Sequence, residues 1–152
     1  MRNSTRPIAR SPLVIAAAVL EVILGIGALG GGLALMLGPQ GQILPLPLSN
    51  LAGSPFDSYF VPGLILFGIL GVCPVLVAVV AWRGQRWAPV LTVGVGGALL
   101  IWLAVQIAII GYSDNPPLQP AYLVMGVLIA TVGLAWGRAT GSPLHIEGGR
   151  SL

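Results

Sequence analysis

From Pro12 to Leu37 the chain carries one charged side chain, Glu21, among Leu, Ile, Val, Ala and Gly. A helix rises about 1.5 Å per residue and the hydrocarbon core of a bilayer is roughly 30 Å thick, so a run this long and apolar is a membrane-crossing helix. Counting from Pro12 places Glu21 near the midplane. A charge there costs about 3 kcal/mol on the insertion scale, while each Leu, Ile or Val returns roughly 0.3 to 0.6. The apolar residues outweigh the carboxyl, and the span inserts; burial at that depth disfavours the ionised form. Steps of three and four from Glu21 reach Ala17, Ala18, Gly25, Ala28 and Gly32, which puts the carboxyl on a small-residue face turned toward other helices. Gly27 and Gly31 form a small-xxx-small pair on the neighbouring stripe.

Three more runs repeat the pattern. With spans at about 12–37, 60–82, 87–110 and 120–136, the sequence predicts an all-α membrane protein, a four-helix transmembrane bundle over 12–136. A basic segment, 1–11, precedes it and a flexible tail, 137–152, follows. Arg2, Arg6 and Arg10 ahead of an apolar run also open a secretory signal, but this run exceeds the 7 to 15 residues of a signal core, so an uncleaved span is expected. Of 152 residues, 56% are hydrophobic and 7% charged, which excludes an ordinary soluble domain. The net charge of +3 comes from arginines beside the spans and not from a basic patch, so nucleic acid is not an expected partner. The bilayer is, with a second copy or another membrane protein as further candidates. An all-Arg set of cations in a chain rich in Ala, Gly and Pro suggests GC-rich coding and a bacterial source.

Within the spans, few side chains offer chemistry. Cys73 is the single cysteine, which excludes an intramolecular disulfide, and its apolar surroundings make it a packing residue. Pro74 removes one amide donor and strikes the carbonyl of Leu70, so a kink is expected there. Equal depth in the membrane makes that carbonyl a possible acceptor for Glu21. Trp102 and Gln106 lie in the outer half of the third span, with Gln106 roughly 13 Å from Glu21 along the membrane normal and expected to bond a neighbouring helix or loop. Thr131 is expected to bond its own helix. The long connection 38–59 carries Ile43, Leu44, Leu46 and Leu48 between prolines, so it is expected to fold over the bundle mouth. No phosphate loop, dinucleotide fingerprint, metal-ligand cluster or nucleophile elbow occurs, and His145 stands alone, so neither a cofactor nor an enzyme is expected.

The run Gly38-Pro39-Gln40-Gly41 leading to Leu46-Pro47-Leu48, the segment Ser54-Pro55-Phe56-Asp57-Ser58-Tyr59-Phe60-Val61-Pro62-Gly63-Leu64-Ile65-Leu66, the stretch Trp102-Leu103-Ala104-Val105-Gln106-Ile107 and Leu118-Gln119-Pro120-Ala121-Tyr122 resemble a group of small, uncharacterised bacterial four-span proteins. The resemblance implies that Pro62-Gly63, Gln106 and Leu118-Gln119-Pro120 form a shared arrangement on the outer side. It brings no activity with it. Small multidrug resistance exporters are similar in plan only, with four spans and a carboxylate in the first. The expected function is a non-enzymatic structural or partner-binding component of the membrane; the alternative is a proton-coupled exporter working through Glu21.

Arg2, Arg6, Arg10, Arg83, Arg86, Arg138 and Arg150 fall on one side of the predicted bundle, and Asp57 and Asp114 on the other. By the positive-inside rule both termini are cytoplasmic, and the plasma membrane is the expected location. Reporter fusions after Asp57 and Asp114 should read as external, and fusions after Gln85 and Leu152 as cytoplasmic. A cytoplasmic signal at Asp57 would reverse the assignment.

Overall fold

The computed structural model describes residues 11–112 and 117–141. Arg2, Arg6, Arg10, Asp114, His145 and Arg150 lie outside them. Four helices are long and apolar enough to cross a membrane: α1 (Pro12–Leu37), α2 (Phe60–Trp82), α3 (Ala88–Ile110) and α4 (Leu118–Thr140). No strand occurs among the described residues.

Local chemistry sets the helix ends. Ser11 caps α1, its hydroxyl accepting from the Leu13 amide at 3.4 Å, and Pro12 takes the first position, where a missing N–H costs nothing. Gly141, at φ +60°, ends α4 with its N–H on the Gly137 carbonyl. That helix is longer at both ends than the expected 120–136. The residues from Gly137 to Thr140, expected to belong to a flexible tail, form its last turn, with Trp136 and Gly137 both buried.

Pro74 produces a local change of helix type. Residues Leu66–Val72 form a π-helical segment, ending as the Cys73 amide donates to the Gly68 carbonyl, five residues back. A regular turn would drive the Pro74 ring into the Leu70 carbonyl, and a wider turn relieves that contact while keeping neighbouring amides bonded. One extra residue also rotates the two halves of α2 against each other by about 100°.

The helices pair through glycine. A Cβ built on Gly32 would meet the Phe67 nitrogen at 2.6 Å and the Gly63 oxygen at 2.7 Å; one on Gly63 would meet the Gly32 oxygen at 2.9 Å. Gly25 faces the Gly71 oxygen and Val75, so α1 and α2 run antiparallel with backbones nearly touching. Gly96 opposite Gly126 and Ala130, and Gly133 opposite Pro89 and Val93, hold α3 and α4 the same way. The pair expected at Gly27 and Gly31 is looser, and Gly94 and Gly97 face open space. Across the seam between the two hairpins, contact is sparser: chiefly α1 with α4, and the Cys73–Trp82 half of α2 with α3. Leu24, Leu70, Val95, Leu99, Leu103 and Ile129 fill its centre.

Arg83, Arg86 and Arg138 share the end that carries Ser11 and Gly141, and Asp57 lies at the loop end. Gly32→Ala should lower thermal stability in detergent by about 1 to 3 kcal/mol through overpacking, whereas Gly30→Ala, with nothing within 4 Å, should not destabilise. Equal behaviour of the two variants would show that the glycine contact does not hold the hairpin.

Candidate functional site

The seam holds two sites. At the first, Glu21 of α1 is fully buried, and so is Thr92 of α3. The hydroxyl is near enough to act on the carboxyl, yet neither carboxyl oxygen nor the hydroxyl has a partner in hydrogen-bonding geometry. The helix register explains the location. With Gly25 against Gly71 and Val75, Glu21 falls more than a turn from Leu70, so the Leu70 carbonyl is not its acceptor. Thr92 lies about 7 Å in from Trp87 along α3, which sets the pair nearer the termini end than the midplane. At about 39 Å, α1 is longer than the hydrocarbon core, so Pro12 does not mark its boundary.

An open pocket of about 730 Å³ at the termini end is lined by Ser11, Val14, Arg86, Pro89, Trp136 and Thr140, among others. Its floor at Pro89 is one turn from Thr92. Ala17, Ala81, Ala88 and Trp136 pack between the pocket and the carboxyl. Small side chains thus meet one large aromatic there.

The second site is a cleft of about 490 Å³ between the loop-end halves of α2 and α3. Ile65, Leu66, Ile69 and Leu70 form one wall; Ala98, Ile101, Trp102, Val105, Gln106 and Ile109 form the other. The π segment supplies Leu66, Ile69 and Leu70. Trp102 and Gln106, one turn apart, share the cleft face, and Gln106 forms no hydrogen bond with a described residue.

The 38–59 connection roofs this cleft. Tyr59 is its clamp: the hydroxyl donates to the Pro47 carbonyl at 2.8 Å, and its amide donates to the Pro39 carbonyl at 2.9 Å. Burial pushes the Tyr59 hydroxyl up from its ordinary value of 10.0, with Asn50 opposing, so it stays a donor through the physiological range. Leu51, Leu35 and Tyr59 make a small core beneath a 3₁₀ turn at Leu48–Leu51, with Leu44, Leu46 and Phe56 against it. Ile43 and Leu48 remain exposed.

Of the residues singled out in the sequence, Trp102 and Gln106 meet in the cleft, joined by Pro62, while Glu21 sits apart beside Thr92. Gln119 does not join them: it is buried at the start of α4, its amide donating to the Gly111 carbonyl at 3.2 Å. Cys73 is exposed on the outer face of α2 and is not the packing residue expected, because the π segment changes which residues of that helix face inward. Thr131 bonds the Val127 carbonyl at 2.7 Å. Thr92 was invisible to motif reasoning, since a lone Thr in an apolar span usually bonds its own helix. Among the described residues no group of three or more His, Cys, Asp and Glu is placed to hold a metal.

Comparison of the chain with protein-family models, curated proteins and solved structures finds no match.

The Glu21 and Thr92 pair yields a double-mutant cycle. Thr92→Val and Glu21→Leu each leave one polar group buried alone, whereas the double variant leaves none, so it should be more stable than either single variant allows by addition. Coupling of about 0.6 kcal/mol is the membrane norm. Strict additivity in thermal unfolding would show that the two groups do not interact.

Proposed function

We propose that this chain is a non-enzymatic component of a cell membrane that holds an apolar partner in the cleft between α2 and α3. The carrying observation is the cleft itself, roofed by a folded connection and walled by aliphatic side chains, with the Gln106 amide unbonded among the described residues. Its rim is exposed: Ile69 on α2, Ile101 and Val105 on α3. In a bilayer those residues face hydrocarbon, so the cleft opens sideways to anything dissolved in the membrane. The arginines at the termini end support cytoplasmic termini and an external roof, and the all-Arg set of cations in an Ala-, Gly- and Pro-rich chain supports a bacterial plasma membrane as its place.

Catalysis has less support. Among the described residues Thr92 is the one side chain that acts on Glu21, and acid–base chemistry needs a second acid or base and room for a substrate.

A photoreactive residue at Ile101 should form one adduct of defined mass in native membranes, while the same residue at Leu128, exposed on α4, should give the spread of products expected of bulk lipid. Matching patterns at both positions would remove the cleft as a binding site.

The unpartnered Glu21 and Thr92 pair, one turn below an open pocket, favours a second reading, a proton-coupled exporter of small molecules. Glu21→Gln keeps shape and cannot exchange a proton. In the first reading it leaves stability nearly unchanged and no transport is lost. Proton flux coupled to a cationic substrate in liposomes, absent in Glu21→Gln at equal stability, would establish the exporter instead.

A further inference from the structure

We infer that the occupant of the cleft is a single acyl chain of a membrane lipid, held lengthwise against α3 with its ester group at Gln106; this rests on the cleft reading above and names the partner. The length fits. Below Gln106 the lining of α3 runs to Ala98, about 12 Å, most of the roughly 15 Å of hydrocarbon in one leaflet. A chain entering through the open side would lie along this wall and end against Ala98 and Leu70, where the cleft meets the core that holds Leu24, Leu99 and Ile129.

The chemistry fits in the same direction. Ile69 and Ile101 flank the mouth and are exposed, so the cleft is open to lipid along its side. Its deeper walls offer no hydrogen-bonding side chain except Trp102, whose indole gives one donor and a flat face for methylenes. Gln106 lies about 6 Å inside the end of α3, hence about one turn below the level where the lipid ester groups meet the hydrocarbon, from which its side chain can extend toward them. Its amide forms no hydrogen bond with a described residue, and an ester carbonyl is the acceptor a lipid presents there. A spanning helix of a partner is a poorer match. Its backbone carbonyls are used within the helix, and the roof built from Leu46, Asn50 and Phe56 closes the loop end that such a helix would have to pass through.

The test uses the full chain, delipidated in a mild detergent and titrated with phosphatidylcholine brominated along its acyl chains. Bromine quenches tryptophan on contact, and the part of the quenching that Trp102→Phe removes belongs to the cleft. That part should saturate at one lipid per chain. Val105→Phe, a change at an exposed rim position, should abolish the saturable part without lowering the unfolding midpoint. Gln106→Leu should weaken binding roughly threefold, the loss of one membrane hydrogen bond. Quenching that rises without saturation, or an isotherm unchanged in Val105→Phe, overturns the proposal. Absence of quenching at Trp102 while the Ile101 photoadduct persists also overturns it, but leaves the cleft as the site of another occupant. Loss of both signals removes the cleft reading as well.

Discussion

Backbone contact through glycine is the interaction on which this structure depends. In hydrocarbon, helices gain nothing from excluding water, so association rests on close packing, and only residues without side chains let backbones come within van der Waals reach. Gly32 and Gly63 do this for the first hairpin, and Gly96 and Gly126 for the second. Two tight hairpins result, and the seam between them is less closely packed. Both candidate sites lie in that seam because it is where the molecule has room and unmatched polar groups.

The second determinant is Pro74. A proline in a spanning helix frees a carbonyl that lipid cannot satisfy, and here the chain answers with a π segment instead of a simple bend. The extra residue turns Leu66, Ile69 and Leu70 toward α3 and leaves Cys73 on the outer surface. A single proline near the middle of α2 therefore shapes a wall of the cleft on its loop-end side. The connection above it completes the enclosure, with the Tyr59 hydroxyl holding the Pro47 carbonyl and Leu51 anchoring the small core beneath.

The two sites sit at opposite ends of the seam and differ in character. Near the termini, Glu21 and Thr92 are fully buried, and neither has a partner in hydrogen-bonding geometry. Near the loops, the cleft has room and little polarity. Such a division suits a protein whose exchange with the bilayer happens on one side while the other is closed by Trp136 and three alanines.

The sequence by itself determined the four helices, because length and hydropathy are sums over consecutive residues and need no partner. It also carried the burial of Glu21, through its place on a small-residue face, and the internal bond of Thr131, which lies four residues from its acceptor. What only the tertiary structure decided is whatever depends on register between helices. Gly25, not Gly27, approaches α2, and this moves Glu21 away from Leu70 and onto Thr92. The π segment shifts the periodicity of α2 by one residue, so counting by threes and fours across it could not place Cys73 or the cleft wall. Trp102 and Gln106 were visible as unusual residues one turn apart, but that they face an open cleft follows from the separation of α2 and α3, a distance no single helix encodes.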